Sequence, residues 1–253
     1  MKPKRTASTT GSAADFIPPR PTLTKLRAAV QGCHGCDLYK NATHAVFGEG
    51  PRTASVIFVG EQPGDAEDKQ GRPFVGPSGK LLDRALDAAG ISREDVYVTN
   101  AVKHFKWAKD TRSKRRIHKT PTTGEVRACA PWLSAEIAVL KPRVIVCLGA
   151  IAAKALLGRT FSVMKRRGVA IDSELADAVF ATVHPSAVLR APSGDRAVAE
   201  RLFVADLRKV GRYLDKPPKA EKRAREDGNT FATWPTTENR SATSSARTRS
   251  SRR

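Results

Sequence analysis

Apolar runs of strand length alternate along this chain with stretches of helical period. Ala54 to Val59 is an unbroken strand-like run closed by Gly60. From Ser78 to Ala89, Leu81, Leu82, Ala85 and Leu86 recur on one helical face, and Gly90 stands where a left-handed cap ends a helix. Val96–Thr99 reads as a second strand, and Gly124 to Leu140 as a helix stopped by Pro142. Arg143–Leu148 is a third strand, 149–157 an Ala-rich helix, Ala178–Val183 a fourth strand, and 195–214 a long amphipathic helix.

Buried strands separated by helices imply parallel βαβ units. The expected fold is α/β: a three-layer α/β/α sandwich with a central, mainly parallel four-stranded sheet. Ligands of such sheets bind beyond the carboxyl ends of the strands. Those ends carry Gly60-Glu61-Gln62-Pro63-Gly64-Asp65, then Asn100 and the loop after it, then His184-Pro185-Ser186. All three are expected on one rim.

The flanks read differently. Residues 1–21 and 215–253 are rich in Lys, Arg, Ser, Thr and Pro without apolar period, so they are expected to be disordered basic tails around a domain at 22–214. The chain carries a net charge of +20, of which residues 1–21 supply +3 and residues 216–253 supply +6. The remaining +11 lies on the folded part, which points to a polyanionic partner, nucleic acid first. No segment reaches the roughly 18 apolar residues of a membrane span, and the N-terminus lacks the apolar core of a secretory leader. A monomer in a reducing cytoplasm, associated with the nucleoid, is expected.

The charge concentrates between Lys103 and Lys119, where eight Lys or Arg and one acid interleave with Phe105 and Trp107. The run ends in Lys114-Arg115-Arg116-Ile117-His118. A histidine in a basic run is ordinarily a surface residue, and the bases beside it are ordinarily phosphate contacts. The four cysteines are spaced C-x2-C-x92-C-x17-C, at Cys33, Cys36, Cys129 and Cys147. In a chain without a secretory leader this suits a thiolate metal centre, zinc or iron–sulfur, better than disulfides. The alternative is that Cys129 and Cys147 are small core residues. The glycines of Gly60–Asp65 suit a phosphate-cradling turn, but Gly79-Lys80 is followed by Leu81 and forms no Walker loop.

Taken in order, Gly60–Asp65, Gly71-Arg72-Pro73-Phe74-Val75-Gly76 with Ser78-Gly79, Thr99-Asn100-Ala101-Val102-Lys103 and His184-Pro185-Ser186 resemble the iron–sulfur, family 4 uracil-DNA glycosylases over about residues 22–214. The form of the first motif, with Lys114–His118, is similar to the X-type branch, whose members excise uracil and stay covalently bound to the DNA. The resemblance implies a [4Fe-4S] cluster on the four cysteines and uracil-containing DNA, single-stranded by preference, as partner.

It also implies roles. Phe74 would stack on the flipped uracil. Asn100 would pair with its edge, with Gly60 and Ser186 lining the pocket. His184 would donate to the uracil O2 as negative charge grows there. Arg190, and separately Lys114, Arg115 and Arg116, would hold phosphates. Gln62, an amide where hydrolytic relatives carry a carboxylate, would position a water without deprotonating it. His118 would attack the sugar C1′, oriented by Glu61 and kept neutral by Arg115 and Arg116. Asp65 would support that loop. A conventional family 4 enzyme that releases an abasic site is the alternative. A non-catalytic, zinc-containing nucleic-acid-binding module is the other.

Overall fold

The computed structural model describes residues 11–219 apart from Arg112 and Lys114. In chain order its main elements are α1 (Leu23–Ala29), β1 (Val56–Gly60), α2 (Asp65–Gln70), α3 (Pro77–Ala89), β2 (Val96–Asn100), β3 (Trp107–Lys109), β4 (Arg116–His118) and α4 (Thr123–Leu140). They continue with β5 (Val144–Leu148), α5 (Ala150–Leu157), α6 (Val163–Arg166), β6 (Ala178–Thr182), α7 (Pro185–Leu189) and α8 (Ser193–Leu214).

Four strands form one parallel sheet in the order β2-β1-β5-β6. Every residue of the four is buried. That is why each reads as a continuous apolar run, since a parallel sheet is covered on both faces. On one face Val56, Phe58, Val96 and Val146 meet Leu81, Leu82 and Leu86 of α3 and Phe203, Leu207 and Val210 of α8. On the other, Ile57, Val59, Ile145 and Val179 meet Leu133, Ile137 and Leu140 of α4 and Ala152 and Ala153 of α5. The three-layer sandwich is as the alternation requires.

Local chemistry sets the helix ends. Thr122 accepts from the Glu125 amide while Glu125 returns to the Thr122 amide, a reciprocal cap that starts α4 one residue ahead of its expected limit. Pro131 lies inside this helix without ending it. Pro77 opens α3, a position where its missing N–H costs nothing.

A third apolar cluster sits beside the sheet, where Leu26, Val30, Leu38, Phe47, Val102 and Trp132 pack around Cys33 and Cys129. It draws in the chain before residue 22, contrary to the expected tail. Ser12 caps a short 3-10 helix at Ala13–Phe16, and Ala13 is buried in the cluster. Its small side chain fits where Gly35 leaves no room for a Cβ, which would stand 2.7 Å from the Ala13 nitrogen. Residues 1–10 and 220–253, the rest of the expected tails, lie outside the described residues. Among the described residues, no helix is long and apolar enough to cross a membrane.

Candidate active site

The carboxyl ends of β1 and β2 meet at a slot. Gly60 and Asn100 are register partners. A Cβ on Gly60 would stand 2.3 Å from Asn100 Oδ1 and 2.8 Å from Phe74 Cζ, so only glycine admits the amide and the ring together. Phe74 holds its ring there from a left-handed backbone, φ 56°, a conformation that is uncommon for a bulky residue. Its carbonyl rests over Gly79, where a Cβ would lie 1.6 Å away. Gly79 therefore serves close packing inside α3.

β6 delivers the third wall. The His184 ring lies 6.3 Å from Phe74, inclined by 27°. Its Nδ1 accepts the Ser186 amide at 3.1 Å and lies 2.9 Å from Ser186 Oγ. Burial first, then the positive Arg190 and His118 nearby, push its pKa down to about 4. A neutral ring that accepts at Nδ1 carries its proton on Nε2, so His184 is a fixed donor at its other end.

The basic run closes the fourth side as a two-stranded antiparallel hairpin, with Trp107 opposite His118 and Lys109 opposite Arg116. His118 lies 6.0 Å from the Phe105 ring, and its Nε2 is 3.7 Å from Glu61 Oε1. That carboxylate oxygen is buried and, among the described residues, has no hydrogen-bond partner. Burial raises the Glu61 pKa, opposed by Arg190. Burial and then Arg190 lower that of His118, whose side chain keeps 49% of its surface open. The neutral state of His118 thus has a different source from the expected one, since Arg115 and Arg116 do not cause it.

Gln62 and Arg116 also depart from expectation. Gln62 is buried and gives all its polar bonds to the hairpin backbone. Its Nε2 donates to the carbonyls of Lys106 (3.2 Å) and Lys119 (3.0 Å), and its Oε1 accepts the Lys106 amide (3.0 Å). It clamps both ends of the hairpin with both amide hydrogens, which leaves only the second lone pair of Oε1 for a water. Arg116 is not free for a phosphate. Its Nε meets Asp65 Oδ1 at 2.5 Å, one terminal nitrogen meets Asp68 Oδ2 at 2.6 Å, and its plane lies 5.4 Å from both Phe105 and Trp107. Asp68 itself is fully buried. The hairpin is latched from behind through Gln62 and through the bonds of Arg116 to Asp65 and Asp68 of α2. Sequence reasoning missed Asp68, which only the packing of α2 against the hairpin brings into play. Arg115 is exposed at the turn, and Lys114 lies outside the described residues. Arg190, exposed at the end of α7, acts electrostatically on Glu61, His118 and His184 together.

The cysteines divide three to one. Cys33, Cys36 and Cys129 feel one another's charge. Each sulfur receives an N–H: Cys33 from Trp132 Nε1 at 3.2 Å, Cys129 from the Lys103 amide at 3.2 Å, and Cys36 from the Leu38 backbone. Such donors favour thiolate. Burial still pushes the Cys129 thiol up to about 12 in the absence of a metal charge. Cys147, by contrast, faces Ile57, Val59 and Leu133 inside the sheet core, where burial alone raises its thiol. It was expected as a fourth ligand, but it packs in the apolar cluster under the sheet, whereas Cys33, Cys36 and Cys129 belong to the separate cluster beside it. Among the described residues, no three His, Cys, Asp or Glu side chains are close enough to share one metal ion.

The ends of the parallel sheet thus bring Asn100, Phe74, His184 and the Glu61–His118 pair together on one rim. In keeping with that, residues 47–208 match the model of the uracil DNA glycosylase superfamily, and the chain belongs to it. Among its relatives, a type-4 uracil-DNA glycosylase of Thermotoga maritima is 40% identical over 188 residues, covering 74% of this chain and 92% of that one. Type-4 enzymes of Pyrobaculum aerophilum (40% identical, 68% and 86% covered) and Archaeoglobus fulgidus (36% identical, 77% and 94% covered) are also similar to it.

Proposed function

We propose that this protein excises uracil from DNA and is then trapped on the exposed sugar through His118. Superfamily membership and the type-4 relatives support the excision. The observation that carries the trapping is the Glu61–His118 pair: a buried carboxylate oxygen without a partner, 3.7 Å from an imidazole nitrogen, at the mouth of the base slot.

Uracil turned out of the strand stacks on Phe74 and presents its edge to Asn100. The N-glycosidic bond breaks with its electron pair passing to uracil N1, leaving an oxocarbenium-like sugar. The Nε2–H of His184 stabilises the charge that spreads to O2, the kind of term whose loss costs ~10²–10³ in rate. One ring nitrogen of neutral His118 then donates its lone pair to C1′, while Glu61 accepts the proton on the other. The long apo distance shortens as the ring is drawn in, as catalytic hydrogen bonds often do on binding. Arg115 and Arg190 contact phosphates, and the basic face carries a preference for single strands that need no unpairing.

The cysteine trio is the seat of an iron–sulfur cluster. The three N–H···S bonds support thiolate ligation, and the spacing disfavours a lone zinc with its ~2.3 Å bonds. Three cysteines fit such a cluster and Cys147 does not, so a four-iron centre needs a fourth donor from elsewhere. Excision needs no electron, and no step above passes through it.

The test is a denaturing gel with uracil-containing single-stranded DNA. A protein–DNA band that survives heat and detergent supports the reading. Abasic DNA without such a band favours conventional turnover, and intact uracil DNA sinks the enzyme reading altogether.

A further inference from the structure

Behind Asn100 lies a group of polar side chains that no step above uses. Lys103 and Glu136 are both fully buried. The Lys103 ammonium donates to Glu136 Oε2 at 2.5 Å, to Thr99 Oγ1 at 2.7 Å and to the backbone carbonyl of Asn100 at 2.9 Å. Those three bonds use all the donors an ammonium has. The other carboxylate oxygen of Glu136 accepts Tyr97 Oη at 2.9 Å, Thr99 Oγ1 at 3.0 Å and the Gly48 amide at 3.1 Å. On its far side, the Lys103 amide donates to Cys129 Sγ at 3.2 Å. Cys129 and Glu136 lie two turns apart on one stripe of α4.

A buried ion pair is a poor means of gaining stability, because apolar side chains of similar volume usually do as well. What it supplies is fixed direction. Here the direction falls on one peptide unit. The carbonyl of Asn100 is held by Lys103, and the next amide, that of Ala101, donates to the Gly60 carbonyl at 2.9 Å. The peptide that carries the Asn100 amide into the slot is thus tied on both sides. Its Oδ1 has no lateral slack either, with Gly60 admitting no Cβ beside it.

The geometry points to Lys103, braced by Glu136 and by Cys129 Sγ, as a positioning residue that sets how Asn100 meets the base edge. This role rests on the reading of Asn100 as the group that reads uracil. It also joins the cysteine trio to the base slot through a single residue: the thiol centre braces the backbone from which recognition is made.

The experiment replaces the pair by apolar residues, Lys103→Met with Glu136→Leu, so that no lone charge is left buried. Free uracil is the probe, as an inhibitor of excision from a single-stranded uracil oligonucleotide, and binding of a uracil-free strand is the control. With melting close to wild type, the inhibition constant of free uracil rises at least ~10-fold, the size of effect a misplaced reactive group produces. Uracil-free DNA binds unchanged. Equal inhibition of wild type and variant overturns the positioning role alone. A wild-type protein that free uracil does not inhibit overturns the reading of Asn100, and this role with it. Should the double variant not fold, Thr99→Val removes the hydroxyl that bridges the pair without exposing a charge. It then raises the inhibition constant several-fold, and an unchanged constant overturns the role.

Discussion

The two sides of the slot are built by different means. Gly60, Asn100 and His184 stand at the ends of buried parallel strands, and each is fixed by the sheet itself or by a neighbour in sequence. His118 stands on a hairpin with three residues per strand, half open to solvent, and long-range side-chain bonds from Gln62, Asp65 and Asp68 hold that hairpin. On the proposed reading, base recognition therefore belongs to the fold, whereas the group proposed to attack the sugar belongs to an attachment. An attachment can be loosened without unmaking the fold, so the two functions should be separable by mutation.

The largest effect belongs to the sheet side. His184→Ala removes the donor at the charged oxygen and should slow uracil release by ~10²–10³, with or without trapping. Single-turnover release, followed by chromatography of the free base, measures it. Equal release by the variant would mean that the developing charge is held elsewhere.

On the hairpin side, Arg116→Met keeps bulk against Phe105 and Trp107 but breaks the latch to Asp65 and Asp68. Covalent product should then form at least ~10-fold more slowly, since misplacement of about 1 Å has such costs. Uracil release should change far less. If both fall together, the hairpin is part of the base site and the separation fails.

Acid sharpens the contrast. The His118 pKa is below its usual value, so the ring is neutral at pH 7 and trapping should be full there. The raised Glu61 pKa adds a second acid limb, because only the carboxylate accepts the imidazole proton. Trapping should stay level from pH 7 down past ~6.5, the ordinary histidine value, and fall only at lower pH, because the His118 pKa is lowered. His184, with a pKa of about 4, keeps its donor tautomer across most of that range, so release should outlast trapping. Stability follows the same sign. An unfolded His184 takes up a proton below ~6.5 that the native one refuses until about 4, so stability is lost as pH falls through that window, on the order of 3 kcal/mol.

The smallest effect on activity comes from the cysteines, where iron content is the readout. Cys147→Ala should retain iron and the broad absorbance near ~400 nm, and Cys129→Ala should lose both. Loss of iron from the Cys147 variant would return it to the ligand set.

The strands and the convergence of three strand ends were legible in the sequence because each rests on local pattern plus one rule of parallel sheets. The hairpin was not. Strands as short as Trp107–Lys109 and Arg116–His118 carry no readable period, and the run looked uniformly basic. In the fold Lys103 is buried against Glu136, Lys106 pairs with Glu125 at 2.8 Å, and Arg116 is paired twice. A charge tally counts such residues as free, and only tertiary contact cancels them. The Gln62 clamp was hidden for a related reason: an amide has the same composition whether it faces a water or a backbone. The C-x17-C spacing likewise could not show that Cys129 and Cys147 belong to different apolar clusters. Ala13 docked because a glycine 22 residues away left room, which no local window contains.

The central claim is that one imidazole ends up on the sugar. The direct measurement is the mass of the peptide around His118 after incubation with uracil-containing single-stranded DNA, nuclease digestion and proteolysis. The account predicts a peptide heavier by the remaining abasic deoxyribose fragment, with fragmentation placing the mass on His118, and no such peptide after His118→Ser. An unmodified His118 peptide alongside released uracil, or the added mass on another residue, would contradict it.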